Sequence, residues 1–156
     1  MHIRSTLAAS LLALSLTVAH AADYSSPAKS DASDTLGASR ALVAEKKWSA
    51  AIDELRRVND TGSADWNNLM GYSLRKGTTP DYAGAEKFYG EALRLDPKHR
   101  GALEYSGELY LMTGDLPKAE QRLAMLDKVC TLACAEYTDL KKAVARYKSN
   151  GNKYAP

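Results

Sequence analysis

From residue 34 onward, apolar side chains fall three and four positions apart, which is the spacing of one helix face. The clearest stretch is Asp81–Pro97, where Ala85, Tyr89 and Ala92 share a face and an Asp-Pro pair ends the run. The same spacing predicts further helices on either side. One carries Leu36, Leu42 and Val43, ends near Lys46 and takes Ser33 or Asp34 as N-cap. The next opens at Trp48 with Ala51, Ile52, Leu55 and Val58, and Gly62 is placed to take a left-handed conformation after it. Trp66, Leu69, Met70, Gly71 and Leu74 define a third, ending at Lys76-Gly77, ahead of the Asp81 helix. Leu103, Gly107, Tyr110 and Leu111 follow, then a Thr113-Gly114-Asp115 turn and a helix with Ala119, Leu123 and Leu126. Pro117 is tolerated there because the first helical turn has no internal N–H bond to lose. Tyr137, Leu140, Val144 and Tyr147 make a last helix, which Ser149-Asn150-Gly151 stops. No stretch alternates with period two over strand length, so the pattern predicts an all-α fold.

The helices repeat. Four columns recur at 34-residue intervals: Trp48, Tyr82, Leu116; Ala51, Ala85, Ala119; Leu55, Tyr89, Leu123; and Val58, Ala92, Leu126. Every member is apolar or aromatic, a register that a generic bundle has no reason to hold twice. The partner helices align less regularly, with Ser39 to Gly71 spanning 32 residues and Gly71 to Gly107 spanning 36. Turn-length changes of this size cost little loop entropy. Small residues at Gly71, Gly107, Ala85 and Ala119 let antiparallel helices approach closely, with a large residue of one helix beside a small residue of its partner.

A Gly on the first helix, a Gly-Asp or Asp-aromatic turn, Ala followed four later by an aromatic, and a closing Leu-Asp-Pro resemble the tetratricopeptide repeat. The resemblance covers roughly 32–133, strongest in 81–97 and 107–123. It is weakest in the first repeat, where Ser39 stands for Gly and no closing Pro occurs. It implies a right-handed α-α superhelix of three helix pairs, about 32–63, 64–99 and 100–133, within a repeat domain spanning 34–148. A C-terminal capping helix over 135–148 completes that domain, and 149–156 forms a tail. Stacked pairs need such a cap because none buries its apolar faces alone.

The first 33 residues follow other rules. Leu7–Val18 is an apolar run of 12 residues, against the roughly 20 a spanning helix needs. A short basic start precedes it and Ala19-His20-Ala21 follows, so 1–21 reads as a signal peptide cleaved before Ala22. Residues 22–33, rich in Ser, Ala and Asp, read as a flexible leader. Export, with a bacterial periplasm as the compartment, is the expectation, and membrane insertion of the mature chain is not. At 156 residues and a net charge of +2, the chain fits one domain and gives no bulk charge for nucleic acid.

Chemistry is sparse. The mature chain has one histidine, His99, in a turn, so no Ser/His/Asp set and no metal ligand set form. Glu86, Glu91, Glu104 and Glu108 read as solvated helix carboxylates. Neither an enzyme nor a cofactor is expected. Cys130 and Cys134 are the only cysteines. In an exported protein they favour a disulfide, provided the chain leaves the helix between them. Two buried thiols, or redox and metal chemistry, stay open. The resemblance implies a concave face of first helices bearing Arg40, Val43, Asn68, Tyr72, Arg75, Tyr105, Glu108 and Met112. That face suits a protein or peptide segment, making the chain an interaction adaptor. The family's clamp for peptide ends needs Lys/Arg and Asn where this chain has Leu36, Leu69, Gly101 and Tyr105, so that specificity is not carried over. The rival readings are a small thiol- or metal-handling protein and a self-associating homo-oligomeric array.

Overall fold

The computed structural model describes residues 34–132 and 134–154. The expected signal peptide and leader, 1–33, lie outside the described residues, as do Ala133 and 155–156. Among the described residues there are seven helices and no strand. They are α1 (Gly37–Ala44), α2 (Trp48–Val58), α3 (Ala64–Lys76), α4 (Tyr82–Leu95), α5 (Arg100–Met112), α6 (Leu116–Val129) and α7 (Ala135–Ser149).

The ends of these helices follow from their sequences. Asp81 and Asp115, 34 residues apart, cap α4 and α6 by accepting hydrogen bonds from the backbone N–H groups of Gly84 (2.8 Å) and Lys118 (3.1 Å). Lys47, at the matching place before α2, offers no cap bond. Helix α5 ends in a Schellman turn: Gly114 is left-handed (φ 85°), and the Asp115 N–H donates to the Tyr110 carbonyl at 2.7 Å. Helix α1 ends the same way, but with Lys46 in the left-handed place (φ 58°).

Two expected end signals differ. The residue at the N-cap position of α1 is Leu36, not Ser33 or Asp34. Asp34 instead turns the chain just before it, its side chain accepting from the Leu36 N–H at 3.2 Å. After α2 the left-handed residue is Asn59 (φ 52°), not Gly62, because an Asn side chain tolerates that region and stands directly at the helix end.

The alanine column is the axis of the packing. Ala51, Ala85 and Ala119 have no exposed surface, and neither do Leu55, Tyr89, Ala92 and Leu126. The leading column is the rim, with Trp48 and Leu116 half-buried and Tyr82 36% exposed. Gly71 lies at a close crossing of α3 and α4. A Cβ there would stand 2.9 Å from the Tyr89 ring and 3.1 Å from the Ala85 carbonyl oxygen. Gly107 plays a different part from the one expected of it. Its nearest neighbour is Leu140 of α7, 2.5 Å from a Cβ placed there, with Arg122 of α6 at 3.3 Å. Helix α5 therefore uses its small residue to admit the capping helix as well as its own partner.

The Cys130 and Cys134 sulfurs stand at disulfide distance, 2.02 Å, with Cα atoms 5.8 Å apart. Helix α6 ends at Val129 and α7 begins at Ala135, so the chain is out of helix between the two cysteines. Cys134 also caps α7, its sulfur accepting from the Tyr137 N–H at 3.4 Å. Closing so short a loop contributes on the order of 2 kcal/mol by restricting the unfolded chain. Replacing both cysteines with serine should therefore lower stability in urea by about that amount, while the N-cap acceptor survives. Equal stability of the variant and the oxidised parent would contradict it.

Candidate functional site

Each first helix touches the next: α1 packs on α3, α3 on α5, and α5 on α7. Among the described residues, the backbones of α2, α4 and α6 do not pack on one another, and Lys118 of α6 reaches Glu86 of α4 only through its long side chain, at 3.8 Å. Helices that meet on one side and spread on the other curve the array, with the first helices inside. The inner surface is the face that the eight expected residues were placed on.

Five of the eight come together. Tyr72 and Tyr105 have ring centroids 4.6 Å apart, and the Arg75 guanidinium lies 5.4 Å from one ring and 5.5 Å from the other. Arg75 pairs with Glu108 at 2.7 Å and reaches the Met112 sulfur at 3.8 Å. A solvated Arg75 was the other reading of the sequence, but its side chain is 2% exposed. Burial works against its charge, and the neighbouring Tyr89, Glu108 and Tyr72 more than restore it. Burial also raises the Tyr72 hydroxyl pKa, and it lifts that of Tyr105 to about 12 with help from Glu104. Arg75 is thus a brace between α3 and α5 under two tyrosine rings.

The remaining three lie nearer the start of the inner face. Arg40 pairs with Asp34 and, at 2.9 Å, with Asp65. Asp65 in turn accepts from His99 at 2.9 Å. The His99 Nδ1 accepts the Ala102 N–H at 3.0 Å, capping α5, which leaves the proton on Nε2 to point at Asp65. Asn68 is buried at 8% exposure, and Val43 is half-buried on α1 one turn after Arg40.

Sequence reasoning missed four residues here. Trp48 was read only as packing, yet its ring meets Tyr72 edge-on at 5.8 Å and extends the aromatic row to three repeats. Its place at the rim end of the repeat columns was the available signal. Asp65 and His99 gave none, because their partnership spans 34 residues. Glu104 was read as solvated and is 9% exposed. Of the four carboxylates read as solvated, Glu86 remains exposed and Glu91 is half-buried and paired with Arg94, whereas Glu108 is tied to Arg75.

Burial drives the Glu104 pKa up to about 8, with Glu108, Asp139 and Glu136 adding to the shift and Arg75 opposing it. An acid whose folded pKa lies above its ordinary value of 4.5 binds its proton more tightly in the fold. Its penalty on stability is absent below the unfolded value, grows as pH rises, and is complete above about 8. Glu104→Gln should leave stability at pH 4 nearly unchanged and raise it at pH 9 by about 1 kcal/mol after solvent screening. Thermal melts of both proteins across that range would show the curves diverging. Parallel curves would refute the assignment.

The family model for the tetratricopeptide repeat matches residues 80–148, which runs through α4 to α7. Residues 80–148 of this chain are tetratricopeptide repeats. The first helix pair, outside that match, holds its alanine, Ala51, in the same fully buried place as Ala85 and Ala119. No curated protein matches the chain. Among the described residues, no group of three or more metal-ligating side chains is gathered, and no helix is long and apolar enough to cross a membrane.

Proposed function

We propose that this repeat protein is an exported adaptor of the bacterial periplasm that holds a protein or peptide segment against its inner face. Tetratricopeptide repeats generally mediate protein–protein interaction. The observation that carries the reading here is the row of Trp48, Tyr72 and Tyr105 along the first three repeats, braced from beneath by Arg75 and Glu108. Half-buried aromatic rings on a rigid support hold a partner at small entropic cost, and such residues dominate binding energy at interfaces. Export is supported by the apolar run and small-residue site in 1–21, and by a cysteine pair at disulfide distance.

Arg75 is too buried to contact a partner, so the test uses Tyr72→Ala with Arg40→Glu. Chemical crosslinking in the bacterial envelope, followed by capture of the chain, should recover partners with wild type and lose most of them with the variant. Lys87→Glu on the exposed outer side of α4 is the control. Equal recovery with a variant of unchanged circular dichroism would overturn the inner-face reading. Recovery of the full chain from the cytoplasm with residues 1–21 still attached would overturn export.

A further inference from the structure

Past α7 the chain folds back on itself. The helix ends in the turn already seen after α1 and α5: Gly151 is left-handed (φ 64°), and the Asn152 N–H donates to the Tyr147 carbonyl at 2.9 Å. After α1 and α5 the next residue, Lys47 (φ -86°) or Asp115 (φ -96°), is ordinary backbone, and the chain runs on into α2 or α6. Here the next residue, Asn152, is left-handed as well (φ 60°), which turns the chain a second time. The Asn150 side-chain amide donates to the Lys153 carbonyl at 3.2 Å and ties that return. Tyr154 then lies half-buried against the core cluster that holds Tyr110, Leu111 and Tyr147.

Its neighbours say where the ring has come to rest. Burial raises the Tyr154 hydroxyl pKa, Glu108 raises it further, Arg75 and Arg146 lower it, and Tyr82 adds a smaller rise. Arg75, Glu108 and Arg146 belong to α3, α5 and α7, three successive first helices. A ring within reach of all three lies on the side where first helices meet, beside the Arg75–Glu108 pair. The tail thus stands on ground that a segment held along the inner face would cover. A group tethered by so few residues faces its site at an effective concentration of about millimolar, so even a weak contact keeps it in place.

We propose that Asn150–Tyr154 is an internal strap on the inner face, with Tyr154 holding the place beside Arg75 and Glu108 in the free protein until a partner segment displaces it. The inference rests on the inner-face reading and adds the regulation of that face. Binding then has two steps, release of the strap and seating of the partner. The apparent affinity is the intrinsic one reduced by the fraction of molecules whose strap is open.

The test pans a displayed library of random 12-residue peptides on the full chain carrying Tyr154→Ala, and keeps those whose binding Tyr72→Ala abolishes. Calorimetry then compares the strongest peptide on wild type and on the variant. A strap closed about nine-tenths of the time weakens binding about tenfold, so Tyr154→Ala should bind about tenfold more tightly than wild type. Gly151→Val is the second variant and leaves Tyr154 intact. Nothing lies within 4 Å of a Cβ at Gly151, so only the left-handed φ resists the branched side chain. Loosening the turn in this way should tighten binding in the same direction, with circular dichroism unchanged. Equal affinities for the three proteins would overturn the strap and leave the inner-face reading standing. Weaker binding to both variants would also overturn it, because Tyr154 would then be part of the partner's site. Failure to enrich any peptide that Tyr72→Ala blocks would overturn both readings.

Discussion

Glu108→Ala should cost the fold about 3 kcal/mol, a drop of roughly 10 °C in Tm. The reason is what the substitution leaves behind. Arg75 carries a full charge with its side chain 2% exposed, and among the described residues Glu108 is its only carboxylate partner, at 2.7 Å. Removing Glu108 strands a guanidinium between tyrosine rings that attract it far more weakly than a carboxylate does. Glu108 itself is 24% exposed, which lets water recover part of the loss and keeps the value at the low end for a broken buried pair. Adding Arg75→Met to Glu108→Ala should restore most of the stability, because no stranded charge remains. Urea titrations of the two single variants and the double variant give the coupling directly. The pair Arg57–Glu54, at 2.6 Å, is the contrast: its guanidinium is 71% exposed, so breaking it should leave stability close to that of wild type. Comparable losses at the two pairs would mean that Arg75 is not confined as described.

Gly71→Ala should lose about 2 kcal/mol even though alanine is the better helix former. Helix propensity alone favours the substitution by roughly 0.5–1 kcal/mol. Against it stands the new methyl, 2.9 Å from the fully buried Tyr89 ring and 3.1 Å from the Ala85 carbonyl, neither of which has room to retreat. Overpacking of this kind typically costs 1–3 kcal/mol. Gly90, on the exposed side of α4, has nothing within 4 Å of a Cβ, so Gly90→Ala should gain the propensity term alone. The two substitutions therefore carry opposite signs in the same denaturation assay. A neutral or stabilising result at Gly71 would remove the basis for the α3–α4 crossing.

The contrast between those glycines marks how far the sequence could be read. Ala51, Ala85 and Ala119 were legible because a fixed interval and a shared face carry packing information along the chain itself. Gly71 was legible for the same reason, its partners Ala85 and Tyr89 lying in the adjoining helix of its own repeat. Gly107 was only half legible. Its tightest neighbour, Leu140, belongs to the cap, and no periodicity announces which helix covers the last repeat. The site was harder still. Arginine and glutamate are usually solvated, so composition argued against the burial of Arg75 and Glu104. The fact that decides each is a neighbour, or the lack of one, across more than 30 positions. Asn59 shows the same limit on a small scale, since glycine is the usual left-handed residue and position decided otherwise.

The aromatic row has an optical consequence. The chain has only two tryptophans, and they sit in unlike surroundings. Trp66 is buried, its indole N–H donating to the Leu55 carbonyl at 2.8 Å, so its emission follows the integrity of the first repeats. Trp48 is half-buried and edge-on to Tyr72, at the margin of the inner face. The protein thus carries its own pair of fluorophores, one reporting on folding and the other on occupancy. Unlabelled chain is enough to follow both in one cuvette, with Trp48→Phe separating the two signals.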